Sequence, residues 1–295
     1  MHTVRYKTGA AFRRALEDRL RTQSLQDTIP LIRLRKMVAF DRFLARLLVD
    51  QPNQWILKGG LALQLRIGSR ARTTKDVDLL SLTPEGNLYV MLSTAGRIDL
   101  EDWFTFEIEN EPAPLPEEAH GARYTVRSLL DGRSFELFHV DIGIGDPVTS
   151  PADILNTPEI LAFAEISPTL IPCYPLTQHL AEKFHAYTRP NLSGENSRVK
   201  DLVDILLISQ EKRIDASLLS KSIRETFSSR ITHPIPITLP EPPLDWVLPY
   251  RKLSAEVGMG SLDLQMGFAE ASLFINPILS GQAAGEWNPK RRIWE

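Results

Sequence analysis

Residues 57–80 read LKGGLALQLRIGSRARTTKDVDLL, and the fold turns on how the pattern changes within this stretch. Trp55-Ile56-Leu57 is a short apolar run that ends at Lys58 and the glycine pair Gly59-Gly60. Leu61 to Arg66 has helical spacing and breaks at Gly68-Ser69, so the order is strand, turn, helix. From Thr73 to Ser81 the period becomes two. Asp76 and Asp78 share one face and Val77 and Leu79 the other, as in a half-buried strand. Two carboxylates so placed lie about 6 to 7 Å apart. They can lean onto one Mg2+ or bridge two ions about 3.5 to 4 Å apart. Asp-x-Asp alone is common in turns and solvated strands, so the glycines in front of it carry the weight. Glycine lets backbone N–H groups approach phosphate oxygens, Ser69 adds a hydroxyl donor, and a helix N-terminus adds its positive dipole end.

Upstream, residues 11–25 and 30–50 read as amphipathic helices. In the second, Leu31, Leu34, Val38, Leu44 and Leu48 recur at three- and four-residue spacing, with Arg33, Arg35, Lys36, Arg42 and Arg46 between them. Residues 1–75 hold 16 Lys or Arg against 5 Asp or Glu, a balance of +11, while the other 220 hold 18 against 32, or −14. Two readings stay open: a surface for a polyanion, since clustered cations release counterions from a phosphate backbone, or solvated helix faces that happen to be basic.

Downstream, residues 86–96 suggest a helix and 102–109 a strand. Residues 122–130 and 133–145, joined by Asp131-Gly132, predict a hairpin, because Asp-Gly supplies the positive backbone angles of a tight turn. Its second strand carries Asp141. Beyond Pro151 the texture becomes helical, over 176–188, 198–210 and 216–227, with no clear strand pair, which puts a domain boundary near residue 165. Six prolines between His233 and Pro249 predict an extended connector, followed by a weakly helical stretch over 251–279.

Length and a hydrophobic share of 43% suit a globular protein of two domains, or one domain with a large elaboration. No window has the 18 or so apolar residues of a membrane span, the N-terminus lacks the apolar core of a secretory signal, and the single Cys173 forms no internal disulfide, so a cytoplasmic location is expected.

The string over 57–80 resembles the first motif of the AbiEii/MenT-like nucleotidyltransferases, the toxin half of type IV toxin–antitoxin and abortive-infection systems within the DNA polymerase β-like superfamily. The resemblance continues in order through HVDIGIGDP (139–147), AEKFHAYTR (181–189), SRVKDLVDILLI (197–208) and the tryptophan-bearing end WNPKRRIW. It departs in the eight residues Ser69 to Asp76, which carry Arg70, Arg72 and Lys75. The resemblance implies that Asp76 and Asp78 coordinate Mg2+, or Mn2+ in its place, and that Asp141 is the third carboxylate. Lys183 would bind nucleotide phosphates, and Asp201 would belong to the last catalytic motif, with Asp204 three residues on as its rival. Gly59, Gly60, Gly68, Ser69, Arg72 and Lys75 would line the nucleotide.

Nucleotidyl transfer needs the triphosphate neutralised and a proton taken from the attacking hydroxyl. Lys183, Arg72 or Lys75 suits the first task, Asp141 or Asp201 the second, as base or orienter, and Arg66 and Arg70 could face an incoming polynucleotide. Among the histidines, His139 shares a strand face with Asp141, and His120, His179 and His185 read as packing or surface residues. Thr74 is noted as a regulatory position. The expected architecture is α/β (α+β): a nucleotidyltransferase lobe over 1–165 with a small mixed sheet flanked by helices, and a mainly helical lobe over 166–295 that brings Lys183 and Asp201 to a cleft. The expected partners are an NTP, the 3′ end of tRNA or another RNA, and an antitoxin from a separate gene, with no membrane and a monomeric state. The rival functions are transfer to an aminoglycoside-like small molecule or to a protein, and nucleotide or nucleic-acid binding without turnover.

Overall fold

The computed structural model describes residues 6–83, 86–114, 121–190 and 198–295. The chain divides into two compact units, the first of residues 1–65, 73–145 and 154–173, the second of 66–72, 146–153 and 174–295.

The first unit is a mixed sheet flanked by helices. Helix α1 (Gly9–Asp27) starts where the Thr8 hydroxyl accepts the Ala11 N–H, and α2 spans Leu31–Asp50. Strand β1 (Trp55–Lys58) leads into α3 (Gly59–Ile67), which ends at Gly68, where φ is +71°. There follow β2 (Val77–Ser81), α4 (Leu88–Gly96), β3 (Phe104–Ile108), β4 (Ala113–Pro114), β5 (Gly121–Leu130), β6 (Arg133–Ile144), β7 (Asp153–Asn156) and β8 (Leu170–Cys173). The sheet order is β3-β5-β6-β2-β1-β8-β7, with β4 also pairing β5. β2 runs antiparallel to β1 and parallel to β6, and β1 runs parallel to β8.

Period-two alternation gives this sheet its two faces. Cys173, Leu57, Leu79 and Ile142 form one register row across β8, β1, β2 and β6, and all four are fully buried. Phe40, Phe43, Phe104, Phe106 and Phe138 pack in the same core, the rings of Phe40 and Phe138 meeting edge-on at 5.0 Å.

The second unit is mainly helical: α5 (Leu176–Thr188), α6 (Val199–Glu211), α7 (Ala216–Arg230), α8 (Val247–Glu256) and α9 (Leu264–Leu279). Helix α6 packs against α5, α8 and α9. Leu202 to Ile208 are buried without a break, the mark of a central helix rather than an amphipathic one. Trp287 and Trp294 face each other across β10 (Glu286–Asn288) and β11 (Ile293–Trp294), and the Trp294 ring stacks on Phe274 of α9. The tryptophan-bearing end is thus packing for this unit.

Several expectations change. β2 begins at Val77, so Asp76 stands one residue before the strand. Strand pairing does occur beyond Pro151: β7 and β8 join the main sheet, and β9 (Ile214–Asp215), β10 and β11 form a three-stranded one. Pro249 lies inside α8, tolerated because a first-turn residue donates no intrahelical hydrogen bond. The basic residues of the N-terminal quarter largely serve the fold. Arg46 is fully buried and forks onto Asp102 at 2.5 and 3.0 Å, and Arg42 bonds Asp41 and Thr169. Arg13 caps carbonyls of the β5–β6 hairpin, and Arg35 reaches Glu136 and Phe135. Lys7, Arg14, Arg19, Arg21 and Lys75 stay exposed.

Candidate active site

In the first unit, the sheet face opposite the buried row carries charge. Lys58, Asp78, Asp141 and Arg123 are successive register partners across β1, β2, β6 and β5, so four side chains with signs plus, minus, minus, plus stand in one row. Arg123 Nε and Nη2 donate to Asp141 Oδ1 and Oδ2, both at 2.7 Å. One step along, the Asp76 carboxylate lies 3.3 Å from His139 Nδ1 and 3.9 Å from Arg123 Nη2. The guanidinium is held above its ordinary pKa, first by the hydrogen bond to Asp141 against the opposing pull of burial, then by the charges of Asp141, Asp76 and Asp78.

Gly59 sets the floor of this row. Its φ is +64°, and a Cβ there would lie 1.9 Å from Asp78 Oδ2. The first glycine of the pair therefore makes room for the second carboxylate, as well as allowing the left-handed turn from β1 into α3. Gly60 is buried in the first turn of that helix. The Thr74 hydroxyl donates to the Asp76 carbonyl, and with 8% of the residue exposed the regulatory reading loses its access.

A second cluster forms within the second unit. Lys183 Nζ is 3.0 Å from Asp201 Oδ1 and 2.9 Å from Asp204 Oδ2, and Arg72 Nε lies 3.1 Å from Asp204 Oδ1. Burial alone would push the ammonium of Lys183 down, yet the charges of Asp201 and Asp204 win and hold its pKa above the ordinary lysine value. Asp204 is fully buried, and Lys183 and Arg72 overcome that burial to hold its carboxyl below the ordinary range. Asp201 Oδ2 is buried without a hydrogen-bond partner, 3.6 Å from Arg198 Nη1. His179, one turn before Lys183, is buried with neither ring nitrogen hydrogen-bonded, and burial, then Lys183, keeps it neutral.

The structure thus brings Asp76, Asp78 and Asp141 together in one unit, and Arg72, Lys183, Asp201 and Asp204 in the other. Gly68 and Ser69 form a 3-10 turn in the second unit, and the Ser69 side chain lies outside the described residues, as does His120. Lys75 is exposed, and its carbonyl accepts Lys36 Nζ. Arg66 and Arg70 do not face solvent as free cations: Arg66 is tied to Asp153 and the Tyr174 carbonyl, Arg70 to Glu211. Sequence reasoning missed Arg123 and Lys58. Among the described residues no three or more His, Cys, Asp or Glu are grouped as a ready metal site. Asp76 and Asp78 still offer hard oxygen donors of the kind Mg2+ takes one or two at a time, completing its shell with phosphate and water.

The profile of the family described as nucleotidyl transferase AbiEii toxin, type IV TA system, matches residues 42–260. Among solved structures, MenT4, a nucleotidyltransferase toxin from Mycobacterium tuberculosis H37Rv, aligns with a TM-score of 0.55 and 16% identity over 90% of this chain and 98% of its own. JHP933 from Helicobacter pylori aligns with a TM-score of 0.44 and 17% identity over 84% of this chain and 93% of its own. The MenT4 match is a likeness of fold. No curated protein matches the chain by sequence.

Proposed function

Because the chain belongs to the AbiEii family of nucleotidyl transferase toxins of type IV toxin–antitoxin systems, we propose that it transfers NMP from a Mg2+-bound NTP to the 3′ end of tRNA. The observation that carries this is the carboxylate pair Asp76 and Asp78 beside a glycine turn that has no room for any other residue at position 59. Asp76 and Asp78 are the residues that would hold the cation, which supplies neutralisation of triphosphate charge when bound. The turn at Gly59-Gly60 opens α3, so its backbone N–H groups and the helix dipole favour an anion there.

In the second unit Lys183 is the phosphate ligand of this proposal. An ammonium has three donors, Asp201 and Asp204 take two, and the third remains for a phosphate oxygen. Both Asp141 oxygens accept from Arg123, whereas one Asp201 oxygen has no hydrogen-bond partner. The role of accepting the hydroxyl proton therefore goes to Asp201, and Asp141 orients its neighbours. Arg72 supports Asp204, and Gly68, Ser69 and Lys75 are assigned to the nucleotide's surroundings. Growth arrest on expression in the cytoplasm, relieved by a separately encoded antitoxin, belongs to the same proposal, with a monomer as the active form.

The test is incubation of purified protein with labelled NTPs, Mg2+ and total tRNA. Label should pass to tRNA with wild type and not with Asp76→Ala, and equal transfer by both ends the proposal. A small-molecule acceptor is the second reading, favoured by one observation: Arg13, Arg35, Arg42, Arg46 and Arg66 are tied to partners in the fold, which takes five cations of the basic N-terminal quarter away from an RNA. Competition between tRNA, aminoglycosides and protein as acceptors separates the two.

A further inference from the structure

We propose that Arg123 is a positioning residue that keeps Asp141 out of the cation's coordination shell, so that the site offers two protein carboxylates, Asp76 and Asp78, rather than three. This rests on the assignment of Asp76 and Asp78 to a divalent cation.

The pairing is dictated by the sheet as well as by side-chain choice. Arg123 and Asp141 stand directly opposite on antiparallel β5 and β6, so their side chains leave the same face and meet across one inter-strand gap of about 4.8 Å. A guanidinium and a carboxylate at that distance form a two-bond fork, and both bonds here are 2.7 Å. The fork takes both Asp141 oxygens. Asp141 is also the neighbour of Asp78 on the parallel strand β2. Two carboxylates on adjacent strands repel unless each has a cation, and the row supplies one at each end: Lys58 beside Asp78, Arg123 beside Asp141.

The same guanidinium comes within 3.9 Å of Asp76 Oδ2. It therefore fills the corner between Asp76 and Asp141 where an ion bridging those two would sit. Asp78 instead lies against Gly59, and the other Asp76 oxygen, Oδ1, lies toward His139. A cation can thus enter at Asp76 and Asp78 without breaking the Arg123–Asp141 fork. Arg123 also places a fixed positive charge at the edge of a site meant for a polyanionic nucleotide, at no cost to the ligand set.

Mn2+ alone, titrated into nucleotide-free protein and followed by the electron paramagnetic resonance of the free ion, reads the ligand count directly. Asp141→Asn leaves Arg123 beside the site with Asp76, 3.9 Å away, as its remaining carboxylate, and should weaken Mn2+ about tenfold, and Arg123→Gln frees a carboxylate and should tighten it about tenfold, as one unit charge moved near a divalent ion does. The double variant Arg123→Gln/Asp141→Asn removes both charges and no ligand, so its affinity should return to within about threefold of wild type. A double variant still about tenfold or more weaker shows that Asp141 is a ligand and overturns the inference. Arg123→Lys, which keeps the charge but not the fork, guards against a misfolded Arg123→Gln, and should bind Mn2+ like wild type or up to about tenfold tighter. Weakening by Arg123→Lys with an intact thermal transition also overturns the inference. If wild type itself binds no Mn2+, or Asp76→Ala binds it as well as wild type does, the cation assignment fails and takes the inference with it. Failure of the double variant to recover, with Asp76→Ala inactive in binding, leaves that assignment standing.

Discussion

Gly59 and Asp78 occupy each other's space: a methyl on Gly59 would sit 1.9 Å from Asp78 Oδ2, and the backbone at Gly59 has a φ of +64°. Gly59→Ala should cost about 1–2 kcal/mol for the left-handed backbone alone and should displace the carboxylate as well. Gly132→Ala is the control. Gly132, in the hairpin turn, has a φ of +68° and open space around it, so it should lose similar stability and keep nucleotidyl transfer. Urea unfolding and the labelled-NTP assay, run on both variants, decide the matter. Loss of transfer in both, or in neither, removes the contact from the explanation.

Much of the carboxylate side was legible in the sequence, because alternation puts Asp76 and Asp78 on one face and because glycine after a strand marks a close approach. The Asp131-Gly132 turn was legible too, and it appears with φ of +54° and +68°. What could not be read was Arg123. A plain count back from the turn sets Arg123 opposite Val140, with its side chain on the apolar face. The register shifts by one between Ser128 and Leu129, which brings Arg123 opposite Asp141 instead. A bulge costs one residue and leaves little trace in composition. The basic N-terminal quarter misleads for a related reason. Helical spacing shows which residues are apolar, but not that Asp41 and Asp102 lie inside to receive Arg42 and Arg46.

Asp204 and Asp201 share Lys183 but differ in exposure to unsatisfied charge. Asp204 is fully buried and receives both Lys183 and Arg72. Asp204→Asn leaves the largely buried Arg72 facing an amide and Lys183 with Asp201 alone, a loss of about 3–5 kcal/mol. Asp201→Asn keeps the Lys183–Asp204 pair, so it should cost about 1–3 kcal/mol while abolishing transfer. Denaturant midpoints and turnover of the two variants test this together, and equal destabilisation by the two would argue that Asp201 is a second structural carboxylate.

Arg46 and Asp102 form a pair with no exposed surface on either side chain. Arg46→Met leaves the buried Asp102 carboxylate with the longer Arg42 contact, at 3.4 Å, as its remaining ion pair and should destabilise by about 3–5 kcal/mol, whereas Arg46→Met with Asp102→Leu removes both charges, leaves Arg42 on Asp41 and should recover most of that. The paired thermal melts measure the recovery. A double variant no better than the single one would mean that the lost bond from Arg46 to the Phe104 carbonyl dominates.

The acid limb of stability should belong to histidine. Burial, reinforced by His233 and Arg230, pushes His185 down from 6.5 to about 3. The unfolded chain therefore takes up a proton near pH 6.5 that the folded one refuses until about pH 3. Stability should fall through that window, by at most about 1.4 kcal/mol per pH unit for one group and by less after solvent screening. His179 and His233, also held low by burial, add to the same slope. Asp204 and Lys183 act elsewhere. Asp204 is lowered, so its contribution is present above its ordinary value of 3.8 and is lost only as the pH falls through its folded value. Lys183 is raised, so its contribution is complete below 10.5 and is lost as the pH rises through its folded value. His185→Phe, packed on Phe227, should lose the hydrogen bond to Thr232 yet show a shallower fall in melting temperature between pH 6.5 and 4 than wild type. An unchanged slope would assign the acid limb to His179 and His233 instead.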